Sequence, residues 1–397
     1  MKLKDKFTQI DLIKRVKEIE PIIRKHTQES EENRKLSEPV IEALKNAGMF
    51  KIWKPEDYGG YESDPITAFT IFEELARIDS AVGWNVQLTA GRDLVTQWLS
   101  TKAMDEVFFN TEDVIFAGAW HPFGYAVPVD GGFNISGHWE IASGCQYANW
   151  FFHGAMIMDG DQPLTYENGQ PQLIYFILPA EEGKVVEAWD AMGMKGTGSH
   201  DITIENKFVP AYRTAPMLPI ENAVGRAYQG ALYKNSLWYT IAALASPSLG
   251  IARAAIEDFM DIAYNKTPIF TQNKLKENPY VQTKLAEAEA ILGAGKAYLY
   301  EVLRTTWGTA LQGHRINMQQ KMQIQLASLQ ANEASIKAVR IIQNLSGLTG
   351  LRETSSIQKH FRDIHILTKH TFVSPSRYQA VGQLMLGLEP NWAFFYF

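Results

Sequence analysis

The texture of the chain changes twice, and those two changes limit its architecture more than any single motif. Residues up to about 113 read as helices, residues 114 to 218 as short strands and turns, and residues from about 230 onward as long helices. In the first part, "LSEPVIEALKNAGMF" offers Ser37 as a cap, Pro39 in the first turn, a shared face of Val40, Leu44 and Ala47, and Gly48 as a stop. "SDPITAFTIFEELARIDSA" supplies Asp64 as N-cap and Pro65 at the first helical position, followed by an apolar stripe of Ala68, Phe69, Phe72, Leu75 and Ala76. "WKPEDYGG" between them has the composition of a loop.

In the middle, "GGFNISGHWEIASG", "WFFHGAMIM", "QLIYFILPA" and "SHDITIENKFVP" are rich in β-branched and aromatic residues and separated by Gly, Asp, Asn and Pro. Ile202 and Ile204 alternate with Thr203 and Glu205, and the spacing predicts an antiparallel barrel or sandwich. Farther on, Leu285, Ala288, Leu292, Gly295, Leu299, Val302 and Thr306 keep a helical period, as do Leu329, Ile336 and Leu345. Long amphipathic helices with small residues on the apolar face predict a helix bundle. At 397 residues the chain is too long for one ordinary core, and the expected domains are 1–113, 114–225 and 226–397.

Charge and cysteine usage exclude several functions. A net charge of −6 gives no basic field for a nucleic acid or an anionic membrane surface. One cysteine, Cys145, rules out an intrachain disulfide and suits a reducing compartment. "MKLKDKFTQIDLIKRVKEIE" is charged throughout, and no uninterrupted apolar run reaches the length of a membrane span. A cytoplasmic chain without membrane or nucleic-acid partners is expected. The 46% of hydrophobic residues, with 10 Trp, 20 Phe and 16 Tyr, suffices for a large core and for an apolar pocket.

Histidines gather near the end of the chain, in "KHFRDIHILTKHTF", where His360, His365 and His370 are spaced five apart. Five residues turn a helix by roughly 140° from one side chain to the next, so the three cannot converge on one ion. Zinc on a helix takes a spacing of three or four, and no metal is expected. A nucleophile elbow, a phosphate-binding P-loop and a Rossmann turn are all missing. "GMKGTGSHD" is glycine-rich but runs into a strand, so it reads as a hairpin or barrel loop and not as a phosphate cradle.

Three segments in order resemble the acyl-CoA dehydrogenase superfamily over nearly the whole chain. "AGMFKIWKPEDYGG" is similar to that family's early proline–glycine turn, "MGMKGTGSHDITIENKFVP" to its central strand ending in Val-Pro, and "IIQNLSGLTGLRETSSIQKHFRDIHI" to its C-terminal glycine turn and Arg-Asp segment. The resemblance implies an α+β fold: an N-terminal helical domain, a central antiparallel β-barrel and a C-terminal four-helix bundle. It also implies a homotetramer with flavin between barrel and bundle.

A dehydrogenase of acyl thioesters needs a carboxylate to take the α-proton while hydride passes to flavin N5. The family places it in a Y-E-G-T motif, where this chain reads "KHTF" with His370 at or beside the glutamate position. The alternative seat, "NSLWYTIAALASPSLG" at residues 235 to 250, contains no acid. The chain instead resembles the branch of two-component flavin-dependent monooxygenases, which includes aromatic hydroxylases fed with reduced flavin by a separate reductase. That likeness rests on "RDIHILTKHTF", "GTGSHD" and "AGAWHPFGYAVPVDGGFNISGHWEIASG".

By resemblance His121 lies beside the substrate, Ser143 beside flavin N5, and His370 on the peroxide or substrate side. Ser143 also occupies the serine or threonine seat of the dehydrogenases' W-I-[ST], with Ile141 in place of tryptophan. Ser199 and His200 are candidates to touch flavin or substrate through the glycine-rich loop. Gln343, Gly347 and Gly350 match the family's cofactor turn. Trp84 and Arg92, in "GWNVQLTAGRD", are weaker candidates for the cavity and read first as core and surface respectively.

The family's pyrophosphate-binding arginine is replaced by "YNKTPIF" with Lys266, so reduced FMN is as well suited as reduced FAD. The implied reaction is hydroxylation of a small phenol- or indole-like aromatic by a flavin C4a-hydroperoxide formed from O2. Oxygenation at sulfur or nitrogen of a heterocycle or amine, an acyl-CoA dehydrogenase with an unrecognised base, and a flavin-free, non-catalytic homologue are the alternatives. The C-terminal "LGLEPNWAFFYF" is suited to docking on a neighbouring subunit or to closing the pocket.

Overall fold

A computed structural model of the protein describes residues 8–121, 123–217 and 222–396. Five helices come first: α1 (Gln9–Glu32), α2 (Glu38–Asn46), α3 (Pro65–Ile78), α4 (Ser80–Val95) and α5 (Thr101–Asn110). The Asp64 carboxylate accepts the backbone N–H groups of Ile66 and Thr67 ahead of Pro65, and Asp79 caps α4 through Ala81 and Val82. Ser37 stands at the N-cap of α2, but its hydroxyl makes no capping bond. Gly48 takes the left-handed conformation at φ 74°, which stops that segment. The α3 stripe is buried throughout, and the Phe72 ring meets Trp53 edge-on at 5.2 Å.

The middle of the chain forms a sheet of β1 (Phe116–Ala117), β2 (Gly124–Val129), β3 (Gly132–Ala142), β4 (Trp150–Asp159), β5 (Gln162–Pro163), β6 (Leu173–Pro179), β7 (Lys184–Val186), β8 (His200–Pro210) and β9 (Thr214–Pro216). Its order is β7-β8-β3-β2-β4-β6-β9, with β1 and β5 paired to β4 off that path. Two expectations are corrected here. The sheet is mixed, because β1 and β2 run parallel to β4. It is also open. Its ends, β7 and β9, are three residues each and do not pair with one another, and β9 finishes on Pro216, which has no N–H to extend a ladder. A closed barrel needs a continuous row of hydrogen bonds that such edges cannot supply. The period-two pattern holds: Ile202 and Ile204 join an inner core with Ile135, Trp139, Phe151 and Phe176, while Glu205 is exposed.

Six helices follow: α6 (Ser236–Ala243), α7 (Ser246–Asn265), α8 (Pro279–Leu311), α9 (Met318–Ser346), α10 (Ser356–Leu367) and α11 (Arg377–Met385). Gly295 of α8 lies so close to α9 that a Cβ there would stand 2.7 Å from the Ala334 methyl, which explains the small residue at that position. Of the α9 positions in the apolar pattern, Leu329 is buried, and Ile336 and Leu345 are partly so. N-terminal and C-terminal helices share one hydrophobic core that runs from Leu12 to Phe395; the sheet has its own. One stretch, Ala231–Asn265, matches a membrane helix by length and average hydropathy, although charged residues interrupt it, and 94% of its most apolar window is buried inside the fold.

Candidate active site

Helix α4 is buried on nearly every side although it carries Asn85, Gln87, Thr89, Arg92 and Asp93. Its Trp84 indole N–H donates to the Ser143 hydroxyl at 3.2 Å, just past the end of β3. Ser143 in turn lies 2.7 Å from Ser199 Oγ, and Ser199 lies 2.6 Å from Thr197 Oγ1, which donates to the Met194 carbonyl at 2.8 Å. Three expected residues, Trp84, Ser143 and Ser199, therefore meet in one buried file, with Thr197 as a fourth member that the sequence reading missed.

The Trp84 ring also packs against His370 at a steep angle, with centroids 5.6 Å apart. His370 follows α10, where the Phe372 N–H donates to its Nδ1 at 3.4 Å, leaving the proton on Nε2. Burial, aided by the positive charge of Arg92, lowers its pKa to about 4, so the ring is neutral at pH 7. From α9, Gln325 and Asn332 donate to the Phe372 and Val373 carbonyls and hold this segment in place. Phe372 opens an aromatic layer: Trp120 stands at 6.0 Å, Trp392 at 5.7 Å and Phe394 at 4.9 Å. The aromatic C-terminus thus docks on its own chain, with Phe395 and Trp392 against Trp238.

Arg92, read from sequence as a surface residue, is buried, and this is a correction. Its guanidinium donates to the Phe116 and Gly118 carbonyls, at 3.3 and 2.6 Å, at the end of β1. Burial lowers its pKa to about 10, which still leaves it charged at pH 7. The carbonyls of a two-residue strand want donors, and a long side chain from the adjacent helix supplies them. No periodicity in the sequence could report that.

His121 lies next to the aromatic layer rather than inside the file. It is exposed and stacked on Phe123 at 3.8 Å, one residue from Trp120; Pro122 falls outside the described residues. Ile141, two residues before Ser143, is 60% exposed and held at φ 61°, a conformation that a β-branched residue rarely adopts. His200, expected on the substrate side, is instead a strap for the loop. Its Nδ1 accepts the N–H groups of Ala188 and Trp189, and its Nε2 donates to the Arg34 carbonyl, so both nitrogens are used. Gln343, Gly347 and Gly350 lie in another corner, where a Cβ on Gly350 would meet Ser346 and Ile357. Lys266 donates there to Ser346 O and Thr349 Oγ1. The three late histidines diverge: His360 bonds Asp258 and His365 the Phe361 carbonyl.

The glycine-rich loop that carries Thr197 and Ser199 is anchored by the Arg-Asp pair of α10. Arg362 donates to the Met192 carbonyl, and Asp363 accepts the Met194 N–H at 2.6 Å. Buried Asp363 also takes bonds from Ser80 and from Lys359 at 2.6 Å. Burial opposes its charge, but Lys359, Ser80 and Met194 outweigh burial and hold the carboxyl below its ordinary value. Gly193 fits because a Cβ would come within 2.5 Å of the Arg362 backbone.

Helical N- and C-terminal regions, a central sheet between them and a buried polar file at their junction define an acyl-CoA dehydrogenase fold. The chain belongs to that family: residues 15–106 match its acyl-CoA dehydrogenase N-terminal domain and residues 242–375 its C-terminal domain. Its relatives are flavin-dependent monooxygenases. It is 25% identical to the flavin-dependent monooxygenase oxygenase subunit HsaA of Rhodococcus jostii, over 90% of this chain and 93% of that one. It is 28% identical to the indole-3-acetate monooxygenase of Pseudomonas putida, over 91% and 90%. Among solved structures, XiaF from Streptomyces in complex with FADH2 and glycerol superposes with a TM-score of 0.90 at 21% identity, covering 97% of each chain.

Proposed function

We propose that this chain is the oxygenase component of a two-component flavin-dependent monooxygenase. It receives reduced FMN or FAD from a separate reductase and hydroxylates a small phenol- or indole-like aromatic with O2. The observation that carries the reading is chemical. None of the groups bonded or stacked within the Trp84–Ser143–Ser199–His370 cluster is a carboxylate, and the titratable group at its centre is a neutral histidine. Acyl thioester dehydrogenation wants a carboxylate base; oxygen transfer to an electron-rich ring does not.

The residues fit a flavin. Asn85 Oδ1, both polar atoms of the Gln87 amide, Arg92 Nε, the Tyr147 hydroxyl and His153 Nε2 are buried without a protein hydrogen-bond partner. Both Asp93 carboxylate oxygens on α4 are likewise without a partner. Buried polar atoms are nearly always satisfied, so the group of such atoms on and beside α4 is where a polar-edged ligand would complete the set. Ser143 is the residue assigned to N5 and Ile141 an apolar contact for the ring; Gln343, Gly347 and Gly350 are assigned to the outer part of the cofactor. When bound, the reduced flavin supplies the two electrons with which O2 is split between the hydroxylated product and water.

The chain's own groups then have distinct tasks. His370 presents an Nε2–H donor to oxygen on the substrate side, held neutral by burial and by Arg92. His121, next to Trp120, is the group that takes a proton from the substrate. Trp120, Phe372, Trp392 and Phe394 keep water from the reacting atoms. The finer architecture is read as the family's helix bundle and homotetramer. Support for assembly comes from exposed Ile269, Phe270, Leu348 and Leu351, on segments tied together by Lys266.

The test is incubation with enzymatically reduced FMN or FAD in air, with phenols, indoles and thiophenes as candidates, and mass spectrometry of the products. Products heavier by one oxygen atom on a phenol or indole support the reading. Bleaching of bound oxidised flavin by an acyl-CoA without O2 would replace it with the dehydrogenase reading.

A further inference from the structure

The hydroxyl file beside Ser143 has a fixed direction. One end is the Trp84 indole N–H, which can only donate, and the other is the Met194 carbonyl, which can only accept. Thr197 has one proton and gives it to Met194, so in its contact with Ser199 it must accept. Ser199 has therefore spent its proton on Thr197 and must accept from Ser143. Ser143 receives the Trp84 N–H, donates to Ser199, and keeps one lone pair. All four groups are buried or nearly so, with Trp84 7%, Ser143 5%, Ser199 3% and Thr197 1% exposed, so water does not scramble the order.

We propose that this file fixes Ser143 as a hydrogen-bond acceptor toward the flavin, and so makes the site selective for reduced over oxidised flavin. The inference rests on the proposed placement of flavin N5 beside Ser143. Reduced flavin carries a hydrogen on N5 and offers a donor there. Oxidised flavin has an imine nitrogen at the same position and offers only a lone pair. An acceptor facing N5 satisfies the first and confronts the second with an unmade buried hydrogen bond, a preference on the order of tenfold or more. Ser199 and Thr197 act through Ser143 and are positioning residues. The same polarity assists turnover, because the flavin that enters is the form the site holds and the flavin that must leave is the form it does not.

The experiment compares anaerobic binding of reduced FMN and FAD with binding of the oxidised forms, by equilibrium dialysis. The variants are Thr197→Val, Thr197→Ser and Ser199→Ala, each checked for folding by circular dichroism. In Thr197→Val the terminal acceptor for the Ser199 proton is gone, Ser199 turns to Ser143, and the Ser143 proton is released toward the flavin. Oxidised flavin then binds more tightly, and the preference for reduced flavin falls about tenfold or more. Thr197→Ser keeps the direction and the preference; Ser199→Ala loses it and serves in place of Thr197→Val if that variant does not fold. A second readout is the two-electron potential of bound flavin, which each tenfold loss of preference lowers by about 30 mV. If the wild-type protein prefers reduced flavin and Thr197→Val and Ser199→Ala leave that preference unchanged, the file is not its origin and the inference is overturned, while the monooxygenase reading stands. A wild-type protein that binds both redox forms equally also overturns the inference, and one that binds neither overturns both.

Discussion

His370 and His153 share a physical situation with opposite visibility in the sequence. Both are neutral in the fold because burial first, and the Arg92 charge second, disfavour the imidazolium; their pKa values fall to about 4 and about 3. His370→Ala should lower hydroxylated product per reduced flavin consumed by about 100-fold or more, the usual worth of a positioned proton donor, while reduced-flavin affinity changes little. Product and peroxide yields measured together check this, and an unchanged product yield would remove His370 from the reaction. Stability carries the same signature. An unfolded histidine takes up a proton near pH 6.5, whereas the folded pair does so only near 4 and 3, so between those limits the unfolded state binds more protons. Stability is therefore expected to fall as pH drops from 7 toward 4. A Tm series over that range tests the sign, and His370→Gln should flatten part of the slope.

At the scale of elements, α10 reaches the site through Asp363. Replacing it by asparagine leaves the partly buried Lys359 beside Asp79 and Glu31 without its nearest partner and weakens the bond to Met194. Asp363→Asn should cost ~3–5 kcal/mol, the range for breaking a buried ion pair, read as a drop in denaturation midpoint. It should also impair flavin binding more than a surface substitution does, because the loop it anchors carries Thr197 and Ser199.

How much of this was legible follows from the kind of signal each element leaves. The α3 cap and stripe were readable because Asp64, Pro65 and the run from Ala68 to Ala76 encode them locally. The alternation of Ile202 and Ile204 marked a strand, but it is the same for a closed barrel and an open sheet. Closure depended on β7 and β9 being short, which no pattern announces. Ser143, Ser199 and His370 stood out in the sequence as residue types inside family-like segments. Arg92 was misread and Thr197 missed, because each owes its role to a backbone carbonyl that only folding brings near. His200 was chosen for its chemistry, and the backbone groups of Ala188, Trp189 and Arg34 use that chemistry up.

Across the whole molecule, the helices at both ends of the chain condense on one core and leave apolar side chains outside. Phe270 is fully exposed and Leu348 and Ile269 are 82% and 81% exposed. A homotetramer should run in light scattering at about four times the 44.8 kDa chain mass, and Phe270→Asp should shift it to smaller species without unfolding the chain. A wild-type monomer would refute that assembly. Oxygenation from reduced flavin can be watched at its first step by rapid mixing of the protein and anaerobically reduced FMN or FAD with oxygenated buffer. The expected result is a long-lived species spectrally distinct from both reduced and oxidised flavin, whose decay an acceptable phenol or indole accelerates as product forms. Direct return to oxidised flavin with stoichiometric hydrogen peroxide, unchanged by any such substrate, would contradict it.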